Sequence, residues 1–139
     1  MSFLFGGRIV ASMTGATEMS FPEQVIALVR KVPHGRLVSY GQVARVLGRP
    51  KASRIVGGVM SSLGPLQGDV PWHRVVNRNG GISPRSDLFS DRDPAVEQAD
   101  RLLEEGLEPG ADGSYDLSLH GLTDQQLSAL LPSQRVAPQ

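Results

Sequence analysis

Cysteine is missing from all 139 residues of the chain. That excludes disulfides, a thiolate nucleophile, thiolate-bound zinc and iron–sulfur clusters. No apolar run approaches the roughly eighteen residues that a membrane-spanning helix needs. Residues 1–19 open with Phe3-Leu4-Phe5 and then scatter. They lack the basic stretch and longer apolar core of a secretory signal, so a disordered extension and a cytoplasmic protein are expected. The three histidines (34, 73 and 120) are far apart and show no metal-ligand spacing. Neither a G-x-S-x-G elbow nor a phosphate-binding P-loop occurs. No metal and no cofactor are expected, and hydrolase chemistry is disfavoured.

Net charge is also missing, since 14 Lys/Arg balance 14 Asp/Glu. The balance is not local. Residues 20–92 carry eleven Lys/Arg against four Asp/Glu, a net of +7, and residues 93–139 carry two against nine, a net of −7. A basic body with an acidic end fits a nucleic-acid partner without being specific to one. With 16 Gly and 10 Pro the chain must turn often, and its length fits one ordinary domain of short elements.

Ser20 and Glu23 form a capping box, and Phe21, Val25, Leu28 and Val32 recur at helical spacing, which predicts a helix over 21–32. Ser39 and Gln42 form a second box, with Val38 and Val43 as a hydrophobic staple, for a helix over 40–47 closed by Gly48. A third helix is expected over 51–63, with Pro50 at its first position and Ile55, Val56, Val59, Met60 and Leu63 inward. Gly57 and Gly58 cost helix propensity there, and close approach of a neighbour is their expected benefit. The second and third helices, three or four residues apart, read as helix-turn-helix. Arg74-Val75-Val76 predicts a short strand, with a turn over 77–81 and a return strand beginning at Ile82. A fourth helix over 94–105 has Asp93 as cap, Gly106 as stop, and Val96, Ala99, Leu102 and Leu103 inward. Thr123, Gln126, Leu122 and Leu127 predict a last short helix over 124–131, stopped by Pro132.

One segment, Val70-Pro71-Trp72-His73-Arg74-Val75, does not read as ordinary core or turn. With Ser39-Tyr40-Gly41-Gln42-Val43-Ala44 before it, it resembles the P-C-H-R-V and S-Y-G-x-[LV]-A segments of the O6-alkylguanine-DNA alkyltransferases. Pro50-Lys51-Ala52-Ser53-Arg54-Ile55-Val56-Gly57 is similar to that family's P-x-A-x-R-x-V-G recognition helix. Leu102-Leu103-Glu104-Glu105-Gly106 is similar to its closing L-L-x-x-E-G. Order and spacing agree over about residues 21–108. Trp72 stands where the family has its nucleophilic cysteine, a feature that resembles the alkyltransferase-like proteins, which bind O6-alkylguanine without accepting the alkyl group. Composition supports the negative half independently, because neither a thioether nor an indole replaces a thiolate.

The resemblance implies a mainly α domain with a small β element: a winged-helix-like, helix-turn-helix DNA-binding domain of the alkyltransferase C-terminal type. It would occupy residues 20–108, between the 1–19 extension and an acidic 109–139 extension with a short helix. Arg54 aligns with the finger that fills the stack where a base has been flipped out; an exposed arginine on a basic helix is the alternative. Tyr40 aligns with the tyrosine that rotates the target phosphate, against a core aromatic. Ala52 and Ser53 are small enough for minor-groove contact. Trp72 would line the lesion pocket with Val70, Pro71, His73, Gly80 and Gly81, against a plain core anchor. Arg85 aligns with an arginine of the alkyltransferase-like proteins that would meet the base by cation–π attraction, against a solvated loop arginine. Glu105 aligns with the glutamate of the family's Cys–His–Glu relay, here a structural support for the pocket. The family's Asn-Pro before the nucleophile is Gly64-Pro65 in this chain.

The expected protein is therefore a non-enzymatic sensor, with no catalytic residues. As a monomer it would bind and flip O6-alkylguanine in double-stranded DNA and pass the lesion to nucleotide excision repair proteins. The alternative is a sequence-specific helix-turn-helix regulator that reads the major groove. An enzyme with another nucleophile is a third.

Overall fold

The structure is a computed structural model that describes residues 19–63, 69–83 and 93–131. Its first helix, α1 (Phe21–Val29), opens on the Ser20–Glu23 capping box. The Ser20 Oγ accepts the Glu23 N–H at 3.2 Å, and the Glu23 carboxylate accepts the Ser20 N–H at 2.8 Å. The helix ends three residues earlier than its periodicity predicts. Lys31 and Val32 donate to Leu28 O and Val29 O in tightened turns, because Pro33 disfavours helical geometry at the residue before it. Val32 is buried nonetheless.

The second helix, α2 (Tyr40–Val46), has its own capping box at Ser39 and Gln42. Gly48 closes it at φ 85°, a conformation that costs glycine little. The next helix, α3, spans Ser53–Ser62 and leaves Pro50 outside, because Ala52 is its N-cap and donates to Arg49 O. The link from α2 is therefore residues 47–52, longer than the sequence predicts. Val56, Val59 and Met60 face inward, but Ile55 is 50% exposed and does not belong to that stripe. Val25, Leu28 and Val29 of α1 meet Val43 and Ala44 of α2 and Val56 and Met60 of α3 in one core.

Two short strands, β1 (Val38–Ser39) and β2 (Val75–Val76), pair in parallel, Val38 opposite Val75 and Ser39 opposite Val76. The expected return strand at Ile82 does not form. Asn77 closes the 77–81 turn by donating to Gly81 O and accepting the Asn79 and Gly81 N–H groups on its side chain. Among the described residues, β2 takes its partner from far upstream. Leu37 makes a further parallel bridge to Gly121.

Asp93 caps α4 (Pro94–Glu104). Its buried face is not the expected Val96, Ala99, Leu102, Leu103 stripe. Leu102 and Gln98 are buried, whereas Val96 and Leu103 are 48% and 57% exposed. A short helix that the pattern did not predict, α5 (Leu117–His120), starts where Asp116 accepts the Ser118 and Leu119 N–H groups. The last helix, α6 (Asp124–Ser128), has the predicted Thr123–Gln126 box but stops short of 131.

The acidic end docks on the basic body. Leu127 is fully buried in the core of α1–α3, and Tyr115 joins Leu37, Leu102 and Leu107 in a second cluster. Burying one such leucine contributes roughly 1.5–3 kcal/mol. The Arg36 guanidinium donates to His120 O and Gly121 O, and Arg45 forms a forked pair with Asp124 at 3.0 and 2.9 Å. Part of the −7 thus faces part of the +7.

Gly80 ties the 77–81 turn to this end. Tyr115 donates to Gly80 O at 2.8 Å. Gly80 sits at φ 83°, where a Cβ would stand 2.1 Å from Tyr115 O. Gly80→Ala is expected to cost about 2–4 kcal/mol from left-handed strain and this clash. Urea titration checks it, as a fall in midpoint at unchanged slope.

Candidate nucleic-acid interface

Most arginines of the described residues are already engaged. Arg30 pairs with Asp69 at 3.0 Å, Arg45 with Asp124, Arg74 with Glu105 and Arg101 with Glu97, and Arg36 holds two carbonyls. Lys31, Arg49, Lys51, Arg54 and Arg78 are exposed and make no ion pair among the described residues. Three of the five lie in the link before α3 and in its first turn. Arg49 rests its guanidinium 4.8 Å above the Phe21 ring, which a cation–π contact allows while its donors stay in water. Uncompensated charge is therefore concentrated where α3 begins. No side chain caps that helix, so its first N–H groups and dipole favour an anion such as phosphate.

A cleft of about 480 Å³ opens beside it. Tyr40 from α2, Ser53, Arg54 and Gly57 from α3, and Asn77 and Arg78 from the turn line it. Arg54 is the second residue of α3 and exposed. Tyr40 is half-buried, and a Cβ on Gly57 would stand 4.0 Å from its ring. The expected close approach at Gly57 is thus an ordinary contact, and Gly58 faces open space. Of the two small residues, Ser53 is exposed while Ala52 is 8% exposed and packs into the core.

The second group forms around Trp72, on a single 3₁₀ turn at Trp72–Arg74 that follows buried Val70 and Pro71. The indole is half-buried and packs against the main core, edge-on to the His73 ring at 6.3 Å. His73 Nε2 lies 2.7 Å from a Glu105 oxygen. The same carboxylate accepts from Arg74 Nη2 at 2.7 Å, from Arg74 Nε at 3.0 Å, and from the Gly35 N–H at 2.8 Å. Arg74 also donates to Val32 O at 2.7 Å. Burial alone would raise the Glu105 pKa, but hydrogen bonds from Arg74, His73 and Gly35 outweigh it and hold the carboxyl at about 2. Burial lowers the His73 pKa despite Glu105, aided by the positive charges of Arg74 and Arg101. The imidazole is then neutral, its Nε2–H donating to Glu105, and its buried Nδ1 has no partner among the described residues.

The grip on this turn comes from one face of α4. Gln98 donates to His73 O at 3.1 Å and Val75 O at 2.9 Å, Arg101 lies 5.7 Å from the Trp72 ring centroid, and Glu105 follows at the helix end. Arg74, Gln98 and Arg101 were not among the residues singled out in the sequence. The 98, 101, 105 spacing marks a single helix face and was the available signal.

The structure thus gathers Tyr40, Ser53 and Arg54 around one cleft and Trp72, His73 and Glu105 around another centre. Gly80 and Gly81 lie on the 77–81 turn that borders the cleft at Asn77 and Arg78. Arg85, Gly64-Pro65, residues 1–18 and residues 132–139 lie outside the described residues. Chemically, Glu105 is committed to three donors, His73 is neutral, and the position beside it carries an indole.

These features define a small helix-turn-helix domain of the alkyltransferase DNA-binding type. The chain belongs to the family described as the 6-O-methylguanine DNA methyltransferase DNA-binding domain, which matches residues 20–107, and within it to the alkyltransferase-like proteins. It is 45% identical over 101 residues to the DNA base-flipping protein of Escherichia coli K12, covering 72% of each chain. It is 40% identical over 101 residues to alkyltransferase-like protein 1 of Schizosaccharomyces pombe, covering 71% of this chain and 89% of that one. The crystal structure of S. pombe Atl1 with damaged DNA containing O6-carboxymethylguanine superposes with a TM-score of 0.62 at 36% identity, over 74% of this chain and 94% of that one. The protein is not an alkyl-accepting enzyme: Trp72 occupies the acceptor position and the sequence holds no cysteine.

Proposed function

We propose that this protein senses O6-alkylguanine in duplex DNA. It inserts Arg54 from α3 through the minor groove, turns the lesion out with Tyr40 and holds it against Trp72 and Arg85. One observation carries the proposal: Arg54, which makes no ion pair among the described residues, shares a cleft with Tyr40, while His73, Glu105 and Arg74 form a hydrogen-bonded support beside an indole. Flipping costs a few kcal/mol, least for a damaged or mispaired base, so lesion selectivity begins with that cost. The inserted side chain offsets part of it and kinks the duplex. Because no alkyl group is transferred, the complex persists. A persistent complex is suited to recruiting nucleotide excision repair proteins, with the protein acting as a cytoplasmic monomer.

Binding to a duplex carrying O6-methylguanine, compared with its unmodified twin, tests this directly. The lesion duplex is expected to bind at least about tenfold tighter, with no labelled methyl group on the protein. Equal affinities would instead leave a helix-turn-helix regulator, and a transferred label would make the protein an enzyme. For the unmodified duplex, four phosphate contacts from Arg49, Lys51, Arg54 and Arg78 imply a log–log salt slope of about −3 to −4.

A further inference from the structure

Arg101 occupies a place on the α4 face that neither the fold nor base flipping accounts for. Gln98 and Glu105 hold the backbone and side chains of the 72–75 segment. Arg101, between them, holds the indole itself. Its Cζ is 5.7 Å from the Trp72 centroid, inside the roughly 6 Å reach of a cation–π contact. One turn earlier, Glu97 accepts from Arg101 Nε at 2.8 Å, which fixes the plane of the fork. The two Nη groups make no hydrogen bond among the described residues, and the side chain is 41% exposed. The other cation of this segment, Arg74, has its donors on Glu105 and Val32 O. Among the described residues, Arg101 is thus a cation beside the indole with donors left over.

We propose that Arg101 is a specificity-determining residue of the lesion site. It sets the orientation of the Trp72 ring and presents its Nη edge to a negatively charged O6 substituent. The protein then ranks a carboxylate-bearing adduct above a neutral one of equal size. A carboxylate gains charge-assisted hydrogen bonds from that edge, whereas an alkyl group leaves the same donors to water. This rests on Trp72 lining the lesion pocket, as proposed above.

The test uses the full chain and three duplexes, carrying O6-carboxymethylguanine, O6-propylguanine or guanine. The unaltered protein is expected to prefer the carboxymethyl over the propyl duplex by about tenfold. Arg101→Leu should bring that ratio to about one and shift the emission of the only tryptophan. Should Arg101→Leu fail to fold, Arg101→Lys decides: an ammonium lacks the planar fork, and the ratio should fall by at least about threefold. A ratio of one in the unaltered protein overturns the proposal, as does a ratio that survives the substitution. An equal loss on all three duplexes also overturns it, by making Arg101 a phosphate contact. If neither lesion duplex binds better than guanine, it is the sensor function that fails.

Discussion

Arg54→Ala is expected to weaken binding to an O6-alkylguanine duplex by about ten- to a hundredfold while leaving the melting temperature unchanged. Both halves follow from where the side chain stands. Arg54 is exposed in the first turn of α3 and makes no ion pair among the described residues, so its removal exposes no core and orphans no partner. On DNA it would restore part of the stacking lost when the base leaves, a term of a few kcal/mol, and would neutralise phosphate charge. Arg54→Lys separates the two contributions, since it keeps the charge and loses the flat stacking surface. Lysine is expected to retain affinity for the unmodified duplex and lose most of the lesion preference. Titration of both duplexes, with calorimetry of the free proteins, checks this. An alanine variant that binds the lesion like the unaltered protein removes the finger role.

The largest expected effect on stability is at Glu105. Glu105→Gln leaves the Arg74 guanidinium, whose side chain is 15% exposed, without its anion. Breaking one side of a buried pair costs about 3–5 kcal/mol. Acid should reproduce part of that loss. The folded pKa of about 2 lies below the ordinary 4.5, so the contribution of Glu105 is complete above about pH 4.5. It amounts to about 3 kcal/mol and is lost as pH falls towards 2. His73 adds to the same trend from a higher starting point. Its folded pKa lies below the ordinary 6.5, so the unfolded chain binds its proton more readily and stability falls as pH drops below 6.5. Urea midpoints between pH 7 and 3 should therefore fall steadily for the unaltered protein. The glutamine variant should start lower and fall less steeply below pH 4.5. Parallel curves would show that Glu105 does not titrate differently in the fold.

Helix starts were legible in the sequence because capping chemistry is local. Ser20, Ser39, Asp93 and Thr123 each cap the helix they announce. Helix faces were less so. Ile55, Val96 and Leu103 are apolar at helical spacing yet exposed; for Val96 and Leu103 the reason is that α4 turns its polar Gln98–Arg101–Glu105 face to the 72–75 segment. The partner of β2 was invisible, since Val38 and Val75 meet through a crossover that no local pattern encodes. At the site, the four motifs marked Tyr40, Arg54, Trp72 and Glu105. Arg74 was quoted only as part of a motif, although it anchors the Glu105 network. Its role depends on a contact spanning 31 positions.

The bridge from Leu37 to Gly121, and Leu127 in the same core as Val25, also bear on how the chain acquires its structure. Helices α1 to α3 emerge early and form from neighbouring residues, but their shared core stays open until residues up to 127 arrive. Closing such long loops is slow compared with helix formation. During synthesis the three helices therefore leave the ribosome with apolar surface and the edge of β1 uncovered. That interval is when the chain is most prone to aggregate and most in need of a chaperone.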